Sequence, residues 1–115
     1  MPRFVTKTAT IAAGQSLSSA IDCSTGAPVI IHLPLDWQPS RVSFQISPDG
    51  GANWYDLFER NAAELEFNVV AGTAVVLERT WTPVTQFKLR SGGRDAPVVQ
   101  DADRTIVVTI DTSPP

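Results

Sequence analysis

The feature that most constrains this chain is a two-residue alternation of apolar and polar side chains, repeated in short blocks. Val42, Phe44 and Ile46 alternate with Arg41, Ser43, Gln45 and Ser47. Successive side chains of an extended strand point to opposite faces, so this block predicts a half-buried antiparallel strand. The same period sets Phe87 and Leu89 against Gln86, Lys88 and Arg90, and it lines up Ile106, Val108 and Ile110 within 105–111. Residues 5–11 are rich in threonine and β-branched side chains, which favours a pleated conformation. Residues 29–33, VIIHL, form a short apolar run closed by Pro34, the right length for a buried strand. Blocks at 53–58, 65–70 and 74–79 bring the expected total to about eight.

Turn residues separate these blocks. Residues 47–51, SPDGG, combine a proline that presets φ with glycines that permit positive φ, so 42–58 reads as a hairpin with a loop longer than two residues. Ala71-Gly72-Thr73 divides the next pair, and 92–103 is the longest loop-like stretch. Residues 60–64 have room for one helical turn, shorter than a usual helix. No amphipathic helix is present to make crossovers, which argues against an α/β fold. The expectation is an all-β, single-domain antiparallel β-sandwich over 1–115, jelly-roll-like, with an open barrel as the alternative architecture. Residues 1–8 read equally as an N-terminal arm or as the first strand. The tail 112–115 ends in Pro114-Pro115, cannot extend a central strand, and is expected to leave the domain.

Composition narrows the functional classes. The 115 residues are 43% hydrophobic and 18% charged, too apolar for disorder. Nine Lys/Arg against twelve Asp/Glu give a formal charge of -3, which disfavours general phosphate binding and hence a nucleic-acid partner. No segment approaches a membrane-spanning helix, and Met1-Pro2-Arg3-Phe4-Val5-Thr6-Lys7 lacks the apolar core of a signal peptide. A single cysteine, Cys23, excludes an intrachain disulfide, which fits folding in a reducing cytoplasm. Cys23 reads as a small buried side chain.

Motifs for chemistry are sparse. The one histidine, His32, lies inside an apolar run, and a Ser-His-Asp or Cys-His arrangement would have to use it. One Cys and one His fall short of a structural zinc set. Asp95, Asp101 and Asp103 cluster in the long loop, where oxygen ligands suit calcium, but their spacing matches no EF-hand; solvated loop acids are the simpler reading. Twelve acids leave a carboxylate pair open without selecting one. Trp37, Trp54, Trp81 and Tyr55 are core or edge-covering residues first and a sugar platform second; alternation sets Trp54 and Tyr55 on opposite faces, one in the core and one exposed. Gly50-Gly51 and Gly92-Gly93 precede no helix, so neither makes a phosphate cradle. No catalytic residue, metal or cofactor is expected.

Five segments taken together resemble small proteins encoded among the virion genes of tailed bacteriophages and prophages. They are 9–18 (ATIAAGQSLS), 44–50 (FQISPDG), 53–57 (NWYDL), 87–92 (FKLRSG) and 100–106 (QDADRTI). The resemblance covers most of the chain and rests on strand and turn signatures. It implies a virion structural protein assembled in the host bacterial cytoplasm, foremost a capsid decoration (cement) protein. The partners implied are other phage structural proteins, above all the major capsid protein, and further copies in a homo-oligomer. Alternatives are a tail or fibre module binding a host-surface glycan, a neck or tail connector, and, on the residue chemistry alone, a small hydrolase.

Such a protein acts through its surface, so the expected interface residues lie on arms and turn tips. They are Phe4 and Val5 in the N-terminal segment, Pro48, Asp49 and Gly50 at the hairpin tip, Arg94 and Asp95 in the long loop, and Pro114 in the tail.

Overall fold

In the computed structural model, residues 3–77 and 85–113 are described. Among them are nine strands: β1 Phe4–Ile11, β2 Ile21–Asp22, β3 Ala27–His32, β4 Val42–Ser47, β5 Tyr55–Asp56, β6 Ala74–Val76, β7 Gln86–Gly93, β8 Ala96–Pro97 and β9 Arg104–Asp111. They form two antiparallel sheets. Sheet one has the order β1-β9-β3-β6, and sheet two has β2-β7-β4-β5 with β8 paired to the end of β7. With β8 set aside, the strands follow the order of an eight-stranded jelly roll built from two Greek keys, successive strands changing sheet except at the β4–β5 hairpin. The all-β sandwich expected from alternation is the fold observed.

The inner faces carry the periodicity. Ile106, Val108 and Ile110 of β9 and Ile31 of β3 face Val42 and Phe44 of β4 and Phe87 and Leu89 of β7, all essentially without solvent contact. Phe67 meets Phe44 edge-on at 5.5 Å between ring centroids, a favoured aromatic geometry. Complete burial of such side chains stabilises by about 1.5–3 kcal/mol each. Pro28 lies in β3 beside β9, and the register shifts between Pro28 and Ile30, so a bulge accommodates the residue that has no N–H to donate.

Several boundaries differ from the sequence expectation. Residues 4–8 form no arm: β1 pairs with β9 without interruption from Phe4↔Asp111 to Ile11↔Arg104. Residues 65–70 are no strand either. They touch the sheet through one bridge, Val42↔Phe67, because apolar Leu65 and Phe67 turn inward while Glu64 and Glu66 bind cations outside. The 53–58 block shrinks to β5. Residues 60–61 make a turn, not a helical turn, closed by the Phe58↔Glu64 bridge and by Glu59 N donating to Ala63 O at 2.7 Å. The tail stays attached through Ser113: Thr112 N donates to Arg3 O at 2.8 Å and Ser113 N to Asp111 Oδ1 at 2.9 Å. Two short strands escaped notice, β2 and β8. The 74–79 block is strand through Val76, and residues 78 and 79, like Trp81 and Pro114, lie outside the described residues.

Candidate functional site

The densest group of ionisable side chains sits on the outer face of sheet two. Alternation aims Arg90 of β7 away from the core, opposite Ser43 of β4, yet the residue is only 7% exposed. Ser43 is small, so the guanidinium reaches across β4 to acids on the sheet margin. Arg90 Nη1 donates to Glu64 Oε2 at 3.1 Å and to Ser43 Oγ at 3.4 Å, and Nη2 pairs with Asp56 Oδ1. Arg94 closes the group from the turn after β7: its backbone N–H donates to both Glu64 oxygens at 3.0 Å, and its Nε lies 3.5 Å from Asp56 Oδ2. Arg41 Nη1 donates to Glu66 Oε2 at 2.9 Å. Gly93 leaves room for the Glu66 carboxylate, whose Oε1 lies where a Cβ would stand, so a side chain there would make the Glu66 end move aside.

The two inner carboxyls are tuned in opposite directions. Burial would raise Asp56, but the hydrogen bond and charge of Arg90, helped by Gln45 and Arg94, outweigh it and hold the group below its ordinary value. Burial pushes Glu64 up, and a hydrogen bond that the protonated Glu64 donates to Glu66, together with the like charge of Glu66, adds to this, against the Arg94 N–H and the Arg90 charge. Such an arrangement locks the 57–66 segment to the sheet and carries a proton-sensitive carboxyl.

A second buried arginine anchors the loop that precedes β9. Arg104 of β9 donates through Nε to Gln100 Oε1 at 3.1 Å, through Nη1 to Asp36 Oδ2 at 3.0 Å and through Nη2 to Asp101 Oδ1 at 2.5 Å. Gln100, itself fully buried, donates to Ser91 Oγ at 2.8 Å and accepts from Gln38 N at 3.0 Å. This polar plug satisfies its members, as buried polar groups require. Beside it, Trp37 Nε1 is buried without a hydrogen-bond partner.

The residues singled out from sequence are spread over the molecule. Phe4 and Val5 start edge strand β1 and are 59% and 41% exposed. Pro48, Asp49 and Gly50 form the turn after β4, held by Asp49 Oδ1, which accepts from Ser47 Oγ at 2.8 Å and Asn53 N at 2.9 Å. These bonds, led by those from Asn53, keep the Asp49 carboxyl below its usual range. Asp95 is exposed beside Arg94, at the Gly93 end of β7, whereas Gly50 binds Thr85 at the Gln86 end; the structure does not bring the two turns together. The loop acids are separated too. Asp101 pairs with Arg104, and Asp103 Oδ1 accepts from Ala13 N at 2.8 Å. Among the described residues, no three His, Cys, Asp or Glu gather as metal ligands.

Cys23 is buried in the core, where loss of hydration pushes its thiol up to about 11. His32 lies on the outer face of sheet one, its Nε2 3.1 Å from Thr109 Oγ1, remote in direction from the inward-packed Cys23. Trp37 is core. Neither member of the Trp54–Tyr55 pair is, contrary to expectation: Tyr55 is 57% exposed on edge strand β5, and half-buried Trp54 carries the Lys88 ammonium 4.4 Å above its ring. Edge position explains this, because among the described residues no strand pairs with β5 on its outer side.

Sequence reasoning missed the Asp56–Glu64–Arg90 group. The one available signal was Arg90 falling in phase with Lys88 on the polar face. Comparison with protein-family models, with curated proteins and with solved structures finds no match.

Proposed function

We propose that this chain is a structural component of a tailed-phage particle, foremost a capsid decoration protein that stabilises the shell through protein–protein contacts with the major capsid protein. The observation that carries the reading is the jelly-roll strand order β1-β9-β3-β6 facing β2-β7-β4-β5, an architecture used by viral capsid and lectin domains. Fold alone permits many functions. Two surface features favour the structural use. The outer face of sheet one sets Thr6, Thr8, Thr105, Val107 and Val76 together, with one largely buried acid, Asp111, at the end of β9. Arginine–carboxylate networks tie the 57–66 segment and the loop before β9 to the sheets and suit a rigid building block. A glycan-binding fibre module, the lectin-like use of this fold, is less favoured because Lys88 covers Trp54 and Arg94 lies 5.6 Å from the Phe58 ring centre. Stacking a sugar would displace these cations.

The test is quantitative mass spectrometry of purified particles from a producing strain, with imaging of the intact virion. The reading expects hundreds of copies per particle, seated on the shell. A few copies would move the protein to the neck or tail, and absence from particles would overturn the proposal.

A further inference from the structure

The backbone polarity of β1 is fixed by its neighbours. Arg3 O accepts from Thr112 N, so odd-numbered residues of this segment turn their amides toward β9. Even-numbered residues turn theirs outward, and Thr10 confirms it: Thr10 N donates to Ser19 Oγ at 3.1 Å and Thr10 O accepts from Ser19 N at 3.0 Å. Ser19 therefore covers one end of the edge. Phe4, Thr6 and Thr8 follow the same phase, and among the described residues nothing bonds their outward N–H and C=O groups.

This edge is unlike the other three. β2 and β5 are two residues long and β6 is three, whereas β1 runs for eight without a proline, a bulge or a break in register. Short edges resist strand addition, and a long, flat, β-branched edge invites it. Its one charged side chain, Lys7, lies near enough to Asp22 of its own chain to favour that carboxylate.

We propose that β1 is a homotypic docking edge, at which a second copy of this chain adds its own β1 antiparallel about a two-fold axis through Thr6. Three observations select a second copy in this register. The open residues Phe4, Thr6 and Thr8 are symmetric about Thr6, so Phe4 meets Thr8 of the second copy, Thr6 meets Thr6 and Thr8 meets Phe4, each pair exchanging two hydrogen bonds. A shift toward the N-terminus sets Thr8 against Pro2, which has no N–H; a shift the other way sets Phe4 against Thr10, whose groups Ser19 already holds. The chosen register also places Lys7 opposite Val5 rather than opposite its own copy, and it covers the exposed Phe4 ring with a threonine methyl. A second copy continues sheet one into an eight-stranded sheet and needs no particle to form. So short an edge buries less than a standard interface, and the free dimer is therefore weak.

Sedimentation of the full chain from about 10 μM to about 1 mM should show reversible dimerisation, because an interface below the standard size binds in that range. Thr6→Pro removes a donor on the two-fold axis and no bond to β9, so it should give a monomer with an otherwise native melt. Thr6→Cys should cross-link rapidly on oxidation, because hydrogen-bonded pairs sit about 5.5 Å apart between Cα atoms, within disulfide reach. Thr10→Cys is the control, since its register partner in the second copy is Pro2. A monomer at every concentration, a dimer that Thr6→Pro leaves intact, or Thr6→Cys oxidising no faster than Thr10→Cys would each overturn the proposal.

Discussion

Arg90 Nη1 and Glu64 Oε2 lie 3.1 Å apart, and this contact joins the outer face of β7 to a segment with no strand of its own. The Arg90 side chain is 8% exposed and that of Glu64 11%, so the pair is shielded from water far more than an ordinary surface bridge. The consequence is an asymmetry between making and breaking it. Replacing the whole group by apolar residues is tolerable, whereas removing one member strands the others.

Arg90→Ala should therefore destabilise strongly. It leaves Asp56 and Glu64 facing each other without their shared cation, and a loss of about 3 kcal/mol is expected for an uncompensated buried charge. Arg90→Lys keeps the charge without the fork, and should lose roughly 1–2 kcal/mol. Urea unfolding measures both. Near-identical midpoints for wild type and Arg90→Ala would show that the network contributes nothing.

The same group predicts a pH response with two opposing parts. Asp56 has a folded value below its ordinary one, so its contribution is present above that ordinary value and is lost as pH falls through the depressed value. Glu64 has a folded value above 4.5, so its contribution is complete below 4.5 and is lost as pH rises through the raised value. Glu66→Gln removes the like charge beside Glu64 and otherwise only the partner of the exposed Arg41. Carboxyl NMR titration should find Glu64 moved down toward 4.5 in this variant, and the gain in stability on mild acidification should shrink. An unmoved Glu64 would mean that the Glu66 charge does not raise it.

Trp37 offers a contrast between volume and polarity. Its side chain is in the core, and its Nε1 is buried without a hydrogen-bond partner. An unmade buried bond costs about 1–3 kcal/mol. Trp37→Phe gives up part of the ring but also the orphan donor, so the net loss should stay below about 1.5 kcal/mol. Trp37→Ala leaves a cavity and should lose about 3–5 kcal/mol. Thermal or urea melts that rank the two equally would contradict this account.

Two left-handed glycines should separate backbone strain from crowding. Gly14 has φ +81 with open space around a Cβ, and Gly92 has φ +86 with Ala96 O 2.5 Å and Val98 N 2.7 Å from that atom. Gly14→Ala should cost about 1–2 kcal/mol, the strain of a left-handed residue alone. Gly92→Ala adds collision with the backbone of residues 96–98 across the β7–β8 turn, so it should lose more, about 3 kcal/mol or beyond. Equal losses in parallel urea titrations would remove crowding as a factor.

What the sequence by itself determined is the class of fold and the sidedness of its principal strands. The alternation at Val42–Ile46, Phe87–Leu89 and Ile106–Ile110 assigns those side chains to one face, and they are the faces that pack together. A period of two is a local property, and burial simply follows it. Where local pattern and partner disagreed, the partner won. Residues 65–70 are as apolar as a strand, yet one bridge at Phe67 and one ion pair at Glu66 hold the segment to the sheet. Residues 4–8 read equally as arm or strand until β9 supplied eight consecutive partners. Only tertiary structure decided that Arg90, Glu64 and Asp56 share a site, because ion pairing across 26 and 34 residues leaves no periodic trace. It alone also decided that the edge of β1 is covered at Thr10 and open from Phe4 to Thr8. That follows from where Ser19 is brought by the fold, and hydrogen-bond direction along a strand has no signature in side-chain order.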